Sequence, residues 1–303
     1  MKAVAFRGFG GPEVLEVMEV PVPGVGAGEV RVRVKAAGAQ PTDCAVRRGW
    51  SPPGFTVTFP HITGGDFAGV VDAVGDGVTA FSAGDEVLGY RTQLTYAEYV
   101  VAPAEQLVAK PAALSWAVAG GLSASGQTAH TAIEVLGVAE GETVLVNGAA
   151  GGVGTIAVQL AVLRGAKVIA TAREENHAYL RELGAVPVTY GAGLADRVRA
   201  AAPEGVDVAL DTASADGLRV AAELVGDRDR VGTIFAHDVH EELGVRWIRS
   251  RRSAARLAEL ASLVADGRLE VHVRRTLPLA RASEAHRELE TGHGRGKIVL
   301  LVD

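Results

Sequence analysis

Thr143–Gly154, TVLVNGAAGGVG, is the stretch on which the fold turns. Thr143, Val144, Leu145 and Val146 make a short apolar, β-prone run, the pattern of a strand buried on both faces of a parallel sheet. Glycines follow at once, and Thr155–Leu163 (TIAVQLAVL) then carries apolar residues at helical spacing. A glycine turn between a strand and a helix is the context in which the G-x-G-x-x-G fingerprint carries meaning. Its three positions here are Ala149, Gly151 and Gly154, so an alanine stands in place of the first glycine. Gly151 would let the backbone approach a pyrophosphate, and Gly154 would let the helix pack tightly on the strand. Ala150, Gly152 and Val153 complete the turn, where the helix N-terminus offers free N–H groups to phosphates. A ligand-free glycine turn is the alternative, and the flanking strand and helix favour dinucleotide binding.

Working outward, the chain after 143 alternates candidate strands (143–147, 167–171, 186–189, 207–211, 231–236 and 244–249) with helical patterns such as Asn176–Leu183 and Leu218–Leu224. Six strands in this rhythm predict an α/β, doubly wound parallel sheet. Residues 1–110 instead hold short β-prone runs: Lys2–Phe6, Glu29–Ala37, Gly69–Val74, Glu86–Tyr90 and Ala97–Val101. Turn residues such as Gly10-Gly11-Pro12 and Gly75-Asp76-Gly77 separate them, which predicts a small antiparallel barrel. Ser115–Leu136 reads as a helix leading into the first parallel strand. At the other end, helical Arg252–Ala265, strand-like Leu269–Arg275, helical Ala282–Glu290 and strand-like Lys297–Val302 close the chain.

At 303 residues, with 48% hydrophobic and 22% charged residues, the chain has the composition of a globular protein with a sizeable core. A net charge of −6 gives no reason to expect nucleic acid or an anionic membrane as partner. No run is long and apolar enough for a signal peptide or a membrane span, so a cytoplasmic protein is expected. The single cysteine, Cys44, excludes an internal disulfide and a cysteine-cluster metal site.

Several stretches together resemble the zinc-independent NADPH:quinone oxidoreductase branch of the medium-chain dehydrogenase/reductase superfamily. They are the opening MKAVAFRGFGGPEVLEVMEVPVPGVGAGEVRVRVKAAGAQPTD, PHITGGDFAGVV, GDEVLGY, YAEYVVAP, SGQTA (Ser125–Ala129), the AAGGVG turn, VDVALDT and the closing TGHGRGKIVLLV, in family order. The resemblance implies a GroES-like β-barrel domain (1–119 and 252–303) plus a Rossmann domain (120–251) with a six-stranded sheet, the nicotinamide lying in a cleft between them. It also implies a homodimer formed through the last Rossmann strand, near Gly244–Ile248. Zinc-dependent relatives place their ligands at positions that match Gln40, Gly65 and Ala124, none of them a strong zinc ligand, so no metal is expected. His237 and His240, in an H-x-x-H spacing with no third ligand, read as part of a polar loop.

Twenty residues past Gly151 lies Thr171, in the run Lys167–Arg173, where an NAD-specific site would carry an acid for the ribose 2′-OH. Arg173 is placed to meet a 2′-phosphate instead, so NADPH is the expected cofactor. Tyr190 matches the family tyrosine beside that phosphate. His177 falls where many relatives carry a lysine, while Glu174 and Glu175 oppose an anion there unless they face solvent. Phe235 and Ala236 complete the expected cofactor-binding set.

Without a Lewis acid, acceptors that already delocalise charge suit the site: quinones and α,β-unsaturated carbonyls. By resemblance, Gln40 sits nearest nicotinamide and acceptor, Thr128 contacts the nicotinamide side, and Asp43 braces the Gln40 loop. Related enoyl-thioester reductases carry a proton-donating tyrosine where this chain has Trp50 and Ser51, so water is the simpler proton source. Trp50 lines the acceptor pocket or packs its loop; Tyr90 is a further wall candidate. The basic run Arg246, Arg249, Arg251, Arg252 and Arg256 reads as a solvated connection, with an anionic substrate handle as the alternative. Two other functions stay open: an enoyl reductase acting on a polyketide or acyl-thioester intermediate, and a non-catalytic NADPH-binding protein.

Overall fold

The computed structural model describes residues 1–52 and 54–303 and divides into two compact units, Met1–Ala124 with Arg252–Asp303, and Ser125–Arg251. In the first unit, β1 (Lys2–Phe6), β2 (Glu16–Glu19) and β3 (Glu29–Ala39) precede a short helix, α1 (Pro41–Arg47). Then come β4 (His61–Ile62), β5 (Asp66–Val74), β6 (Glu86–Tyr90), β7 (Tyr99–Pro103) and β8 (Leu107–Ala109). β3 is the organising strand. Its inward residues Val30, Val32 and Val34 are fully buried, while Arg31, Arg33 and Lys35 alternate with them, the period of a half-buried strand. One edge of β3 pairs antiparallel with β5; the other is shared between β7 and a strand from the far end of the chain.

The boundary at 124/125 falls inside α2 (Trp116–Val135). The second unit continues with β9 (Thr143–Asn147), α3 (Gly152–Leu163), β10 (Lys167–Ala172), α4 (His177–Glu182), β11 (Val186–Thr189) and α5 (Leu194–Ala201). β12 (Val208–Asp211), α6 (Ala215–Leu224), β13 (Val231–Thr233), α7 (His237–Leu243) and β14 (Arg246–Trp247) follow. The sheet order is β11-β10-β9-β12-β13-β14 and every pairing is parallel, so the expected doubly wound six-stranded sheet is present. Central β9 registers Leu145 against Ile169 and Ala209, all three with no exposure, as a strand covered on both faces requires.

The chain returns to the first unit with α8 (Ala254–Ala265), β15 (Val273–Pro278), α9 (Ala282–Glu290) and β16 (Lys297–Leu301). β16 takes the free half of the β3 edge, Ile298 opposite Ala39 and Leu301 opposite Ala36. Several expected boundaries move. The run 244–249 forms only two paired residues, and 231–236 stops at Thr233, leaving Phe235 and Ala236 in the turn before α7. His237 and His240 are therefore helical rather than in a loop, and both rings pack near Trp247, with centroids 4.9 and 5.7 Å away. Among the described residues no helix is long and apolar enough to cross a membrane.

Candidate functional site

In the second unit, β9 ends at Asn147 and the chain turns at Gly148, whose φ of +72° suits glycine. Thr171 of β10 anchors the turn: its Oγ1 accepts the Gly148 N–H at 3.2 Å and its carbonyl accepts the Ala149 N–H at 3.0 Å. Thr171 is thus a buried brace for the turn. Gly151 caps α3, which starts at Gly152, earlier than the sequence pattern alone suggests. A Cβ on Gly154 would lie 2.3 Å from the Gly148 carbonyl oxygen, so the helix meets the turn at glycine distance. At Gly151 the nearest atom to such a Cβ is the same oxygen at 3.3 Å. The Asn147 amide is buried beside this turn with no partner for either its Nδ2 or its Oδ1. An open helix N-terminus, a cradle without side chains and an orphaned amide together fit a pyrophosphate.

The carboxyl ends of the neighbouring strands carry the other expected cofactor residues. Arg173, just past β10, donates from Nε to the Tyr190 hydroxyl at 2.9 Å, and Tyr190 is 47% exposed past the end of β11. Glu174 and Glu175 are exposed, and the His177 ring lies 3.4 Å from the Ala172 carbonyl. Beyond β12 and β13, the Thr233 hydroxyl donates to buried Asp211 at 2.8 Å and accepts the N–H groups of Phe235 and Ala236 at 3.0 Å each. That network holds Phe235 out at 60% exposure while Ala236 is buried. Thr128 is half-buried on α2.

In the first unit, Gln40 immediately precedes α1 and is 7% exposed; Pro41 holds it extended. Asp43 Oδ2 accepts the Gln40 N–H at 3.1 Å and the Tyr96 hydroxyl at 2.8 Å, and that hydroxyl lies 3.4 Å from His286 Nε2. Burial pushes the Asp43 carboxyl up to about 7, with the Asp66 charge adding and the Tyr96 hydrogen bond opposing. Burial, helped by Arg47 and Arg48, drives His286 down to about 3. Asp66 opens β5: its Oδ2 accepts the Ala124 N–H at 2.8 Å, while its Oδ1 is buried with no partner. Burial raises Asp66, and Lys297 and Arg252 pull it back. Lys297 is itself buried and lowered, desolvation outweighing both carboxyls. Tyr90, at the end of β6, registers opposite Asp66. Trp50 lies beyond α1 and is 49% exposed.

Residues 26–112 match the alcohol dehydrogenase GroES-like domain family, and residues 183–300 match the zinc-binding dehydrogenase family. A mouse quinone oxidoreductase is 30% identical over 326 residues, covering 100% of this chain and 98% of that protein. The chain belongs to the quinone oxidoreductase branch of the medium-chain dehydrogenase/reductase superfamily. Among solved structures, one described as an NAD-dependent alcohol dehydrogenase superposes with a TM-score of 0.89 at 35% identity, covering 100% of both chains. The Escherichia coli quinone oxidoreductase complexed with NADPH superposes at 0.86 and 26% identity, covering 99% of this chain and 100% of that one.

Zinc, which one matched family description implies, can be tested against the donor set of this medium-chain reductase. Gln40, Gly65 and Ala124 do gather around Asp66: Gln40 Nε2 lies 3.7 Å from where a Gly65 side chain would begin. They supply an amide, no side chain and a methyl, a set that does not fit Zn²⁺. Among the described residues no group of three or more His, Cys, Asp or Glu is placed to hold a metal ion. Arg246, Arg249 and Arg251 of the basic run are exposed, as in a solvated connection, whereas Arg252 departs from it. Arg246 pairs with Asp229 at 3.1 Å, and Arg252 turns inward, with its guanidinium carbon 5.8 Å from the Tyr90 ring centroid and its Nη1 on the Arg91 carbonyl at 3.2 Å. No local pattern marked Tyr96 or Lys297 for this neighbourhood, and Arg252 was one of five arginines in the basic run; contacts between residues far apart in the chain bring the three there.

Proposed function

We propose that this medium-chain reductase is an NADPH-dependent, zinc-independent enzyme that transfers hydride to a quinone or an α,β-unsaturated carbonyl. The observation that carries the reading is the Gln40–Gly65–Ala124 neighbourhood, which presents an amide donor where a metal-dependent relative presents ligands. An amide can hydrogen-bond an acceptor oxygen but cannot polarise a simple ketone as a Lewis acid does, so an acceptor that already delocalises charge suits it. NADPH, when bound, supplies the hydride. The glycine turn and the α3 N-terminus hold the pyrophosphate, and Arg173 with Tyr190 takes the 2′-phosphate. Thr171 fixes the shape of the turn, His177, Phe235 and Ala236 border the dinucleotide, and Thr128 contacts the nicotinamide side.

Gln40 orients the acceptor oxygen, with its backbone held by Asp43 and Asp43 held in turn by Tyr96. Tyr90 and Trp50 wall the acceptor, and water supplies the proton, since the Trp50 indole is no acid. The second unit leaves β14 as a sheet edge, which supports a homodimer through that strand. Loss of 340 nm absorbance with a quinone and an enone panel tests the activity. Turnover with NADPH, and tighter binding of NADPH than NADH, is the expected result. Tighter NADH binding reverses the cofactor assignment, and NADPH binding without reduction of any acceptor favours the non-catalytic function.

A further inference from the structure

Gly65 leaves open the space that a side chain would fill; the Arg91 carbonyl oxygen lies 3.3 Å from a Cβ built there, and two nitrogen donors border the rest. A Cβ built there would lie 3.7 Å from Gln40 Nε2 and 3.7 Å from Arg252 Nη1, so the donors are no more than twice that distance apart. Arg252 is half-buried and makes one hydrogen bond among the described residues, to the Arg91 carbonyl at 3.2 Å. The planar guanidinium has five N–H groups, so most are uncommitted. Tyr90 flanks it, and Arg252 acts electrostatically on the buried Asp66 and Lys297.

We propose that Arg252 is a catalytic residue, its guanidinium acting with the Gln40 amide as a two-donor clamp for the oxygen on which negative charge develops when a conjugated acceptor is reduced. The inference deepens the proposed function, on which it rests: it names the group that does the work a metal would do. When hydride adds to the conjugated system, the displaced electron pair moves onto the carbonyl oxygen, giving an enolate or hydroquinone anion that water then protonates. A fixed cation in a half-buried setting stabilises that charge more than the neutral acceptor, which is the condition for raising the rate. The clamp selects acceptors with an oxygen conjugated to the reacting carbon, and gives nothing to an alkene without one.

Binding of 4-nitrophenol, a stable mimic of the anion, tests the clamp independently of turnover. In the wild-type protein the bound phenol should ionise about 1 to 3 pH units below its value in water, read as the 400 nm band. Arg252→Met should abolish that shift and lower kcat/KM for a quinone by about 10²–10³-fold, with the Kd for NADPH unchanged. Arg252→Lys, which keeps the charge but not the fork, should fall between the two and controls for folding. Gly65→Ala should weaken phenolate binding with Arg252 still present, since its methyl would occupy the clamped position. A phenolate shift of equal size in wild type and Arg252→Met, or no phenolate binding by the wild type, overturns the proposal. A wild type that shifts the phenol but reduces no acceptor overturns the redox function and leaves the clamp standing.

Discussion

Gly151 and Gly154 stand three residues apart in one turn, yet their replacement by alanine should fail in different ways. At Gly154 the new methyl would sit 2.3 Å from the Gly148 oxygen, 2.7 Å from the Ala149 Cα and 2.9 Å from the Gly148 carbon, all of them backbone. Restoring ordinary contact near 3.4 Å requires the turn and α3 to separate by about 1 Å, in a core too dense to absorb it. Overpacking of this kind costs about 1–3 kcal/mol, which should lower the thermal midpoint by several degrees. At Gly151 the methyl meets only the Gly148 oxygen, at 3.3 Å, and φ is −71°, a value any residue adopts, so stability should change by less than about 0.5 kcal/mol. Its methyl would instead stand where the backbone must approach the pyrophosphate, and the Kd for NADPH should rise about tenfold or more. Calorimetry without ligand and fluorescence titration with NADPH separate the two effects. A Gly154→Ala protein as stable as wild type refutes the packing argument, and a Gly151→Ala protein with unchanged affinity refutes the placement of the pyrophosphate.

Arg173→Ala should raise the Kd for NADPH about tenfold while leaving NADH unchanged, measured by the same titration, because in the proposed site only the 2′-phosphate meets the guanidinium. Arg47 is fully buried, with Nε and Nη1 unpartnered and Glu290 as its counter-ion, so Glu290→Ala should cost about 3 kcal/mol in urea unfolding and Arg47→Met less, since only the first leaves a buried charge alone. Asp43, raised from 3.8 to about 7, makes stability fall as pH rises through that interval; His286, lowered from 6.5 to about 3, makes it fall as pH drops through its own. The two effects oppose each other between about pH 4 and 6.5, so Asp43→Asn should expose an acid-side loss and His286→Gln an alkaline-side loss, each about 1.4 kcal/mol per pH unit in unfolding measured across that range.

Period and turn chemistry made most of the fold legible. The alternating rhythm after 143 gives the six parallel strands, and Lys2–Phe6, Glu86–Tyr90 and Ala282–Glu290 have the bounds their patterns imply. What escaped was short or non-local. Helix α1 is seven residues long and begins Pro41-Thr42-Asp43, which reads as a turn, although the resemblance did imply that Asp43 braces the Gln40 loop. Strand β4 has two residues, too few to show an alternation, while β14 was expected over 244–249 and keeps only two paired residues of that run. Helix α5 follows a glycine-rich turn, and α7 follows Ile234-Phe235-Ala236, which prolongs the apolar run of β13, so neither start stood out. In the candidate site, Gln40 and the glycine turn were visible from local pattern and resemblance. The inward turn of Arg252 was not, because in sequence it is one arginine among five, and only the Tyr90 ring and the Arg91 carbonyl distinguish it.

The return of β16 to the β3 edge has a consequence for biosynthesis. On the ribosome, residues Ala36–Ala39 emerge more than 250 residues before the strand that pairs with them, as Ala36 bonds against Leu301 and Ala39 against Ile298. The Ser125–Arg251 unit is continuous and can complete its sheet while the tail is still being made, whereas the other unit must wait with a bare backbone edge. Slowed translation of Arg252–Asp303 should therefore produce nascent chains that are protease-resistant in the later-made unit and chaperone-dependent in the earlier-made one.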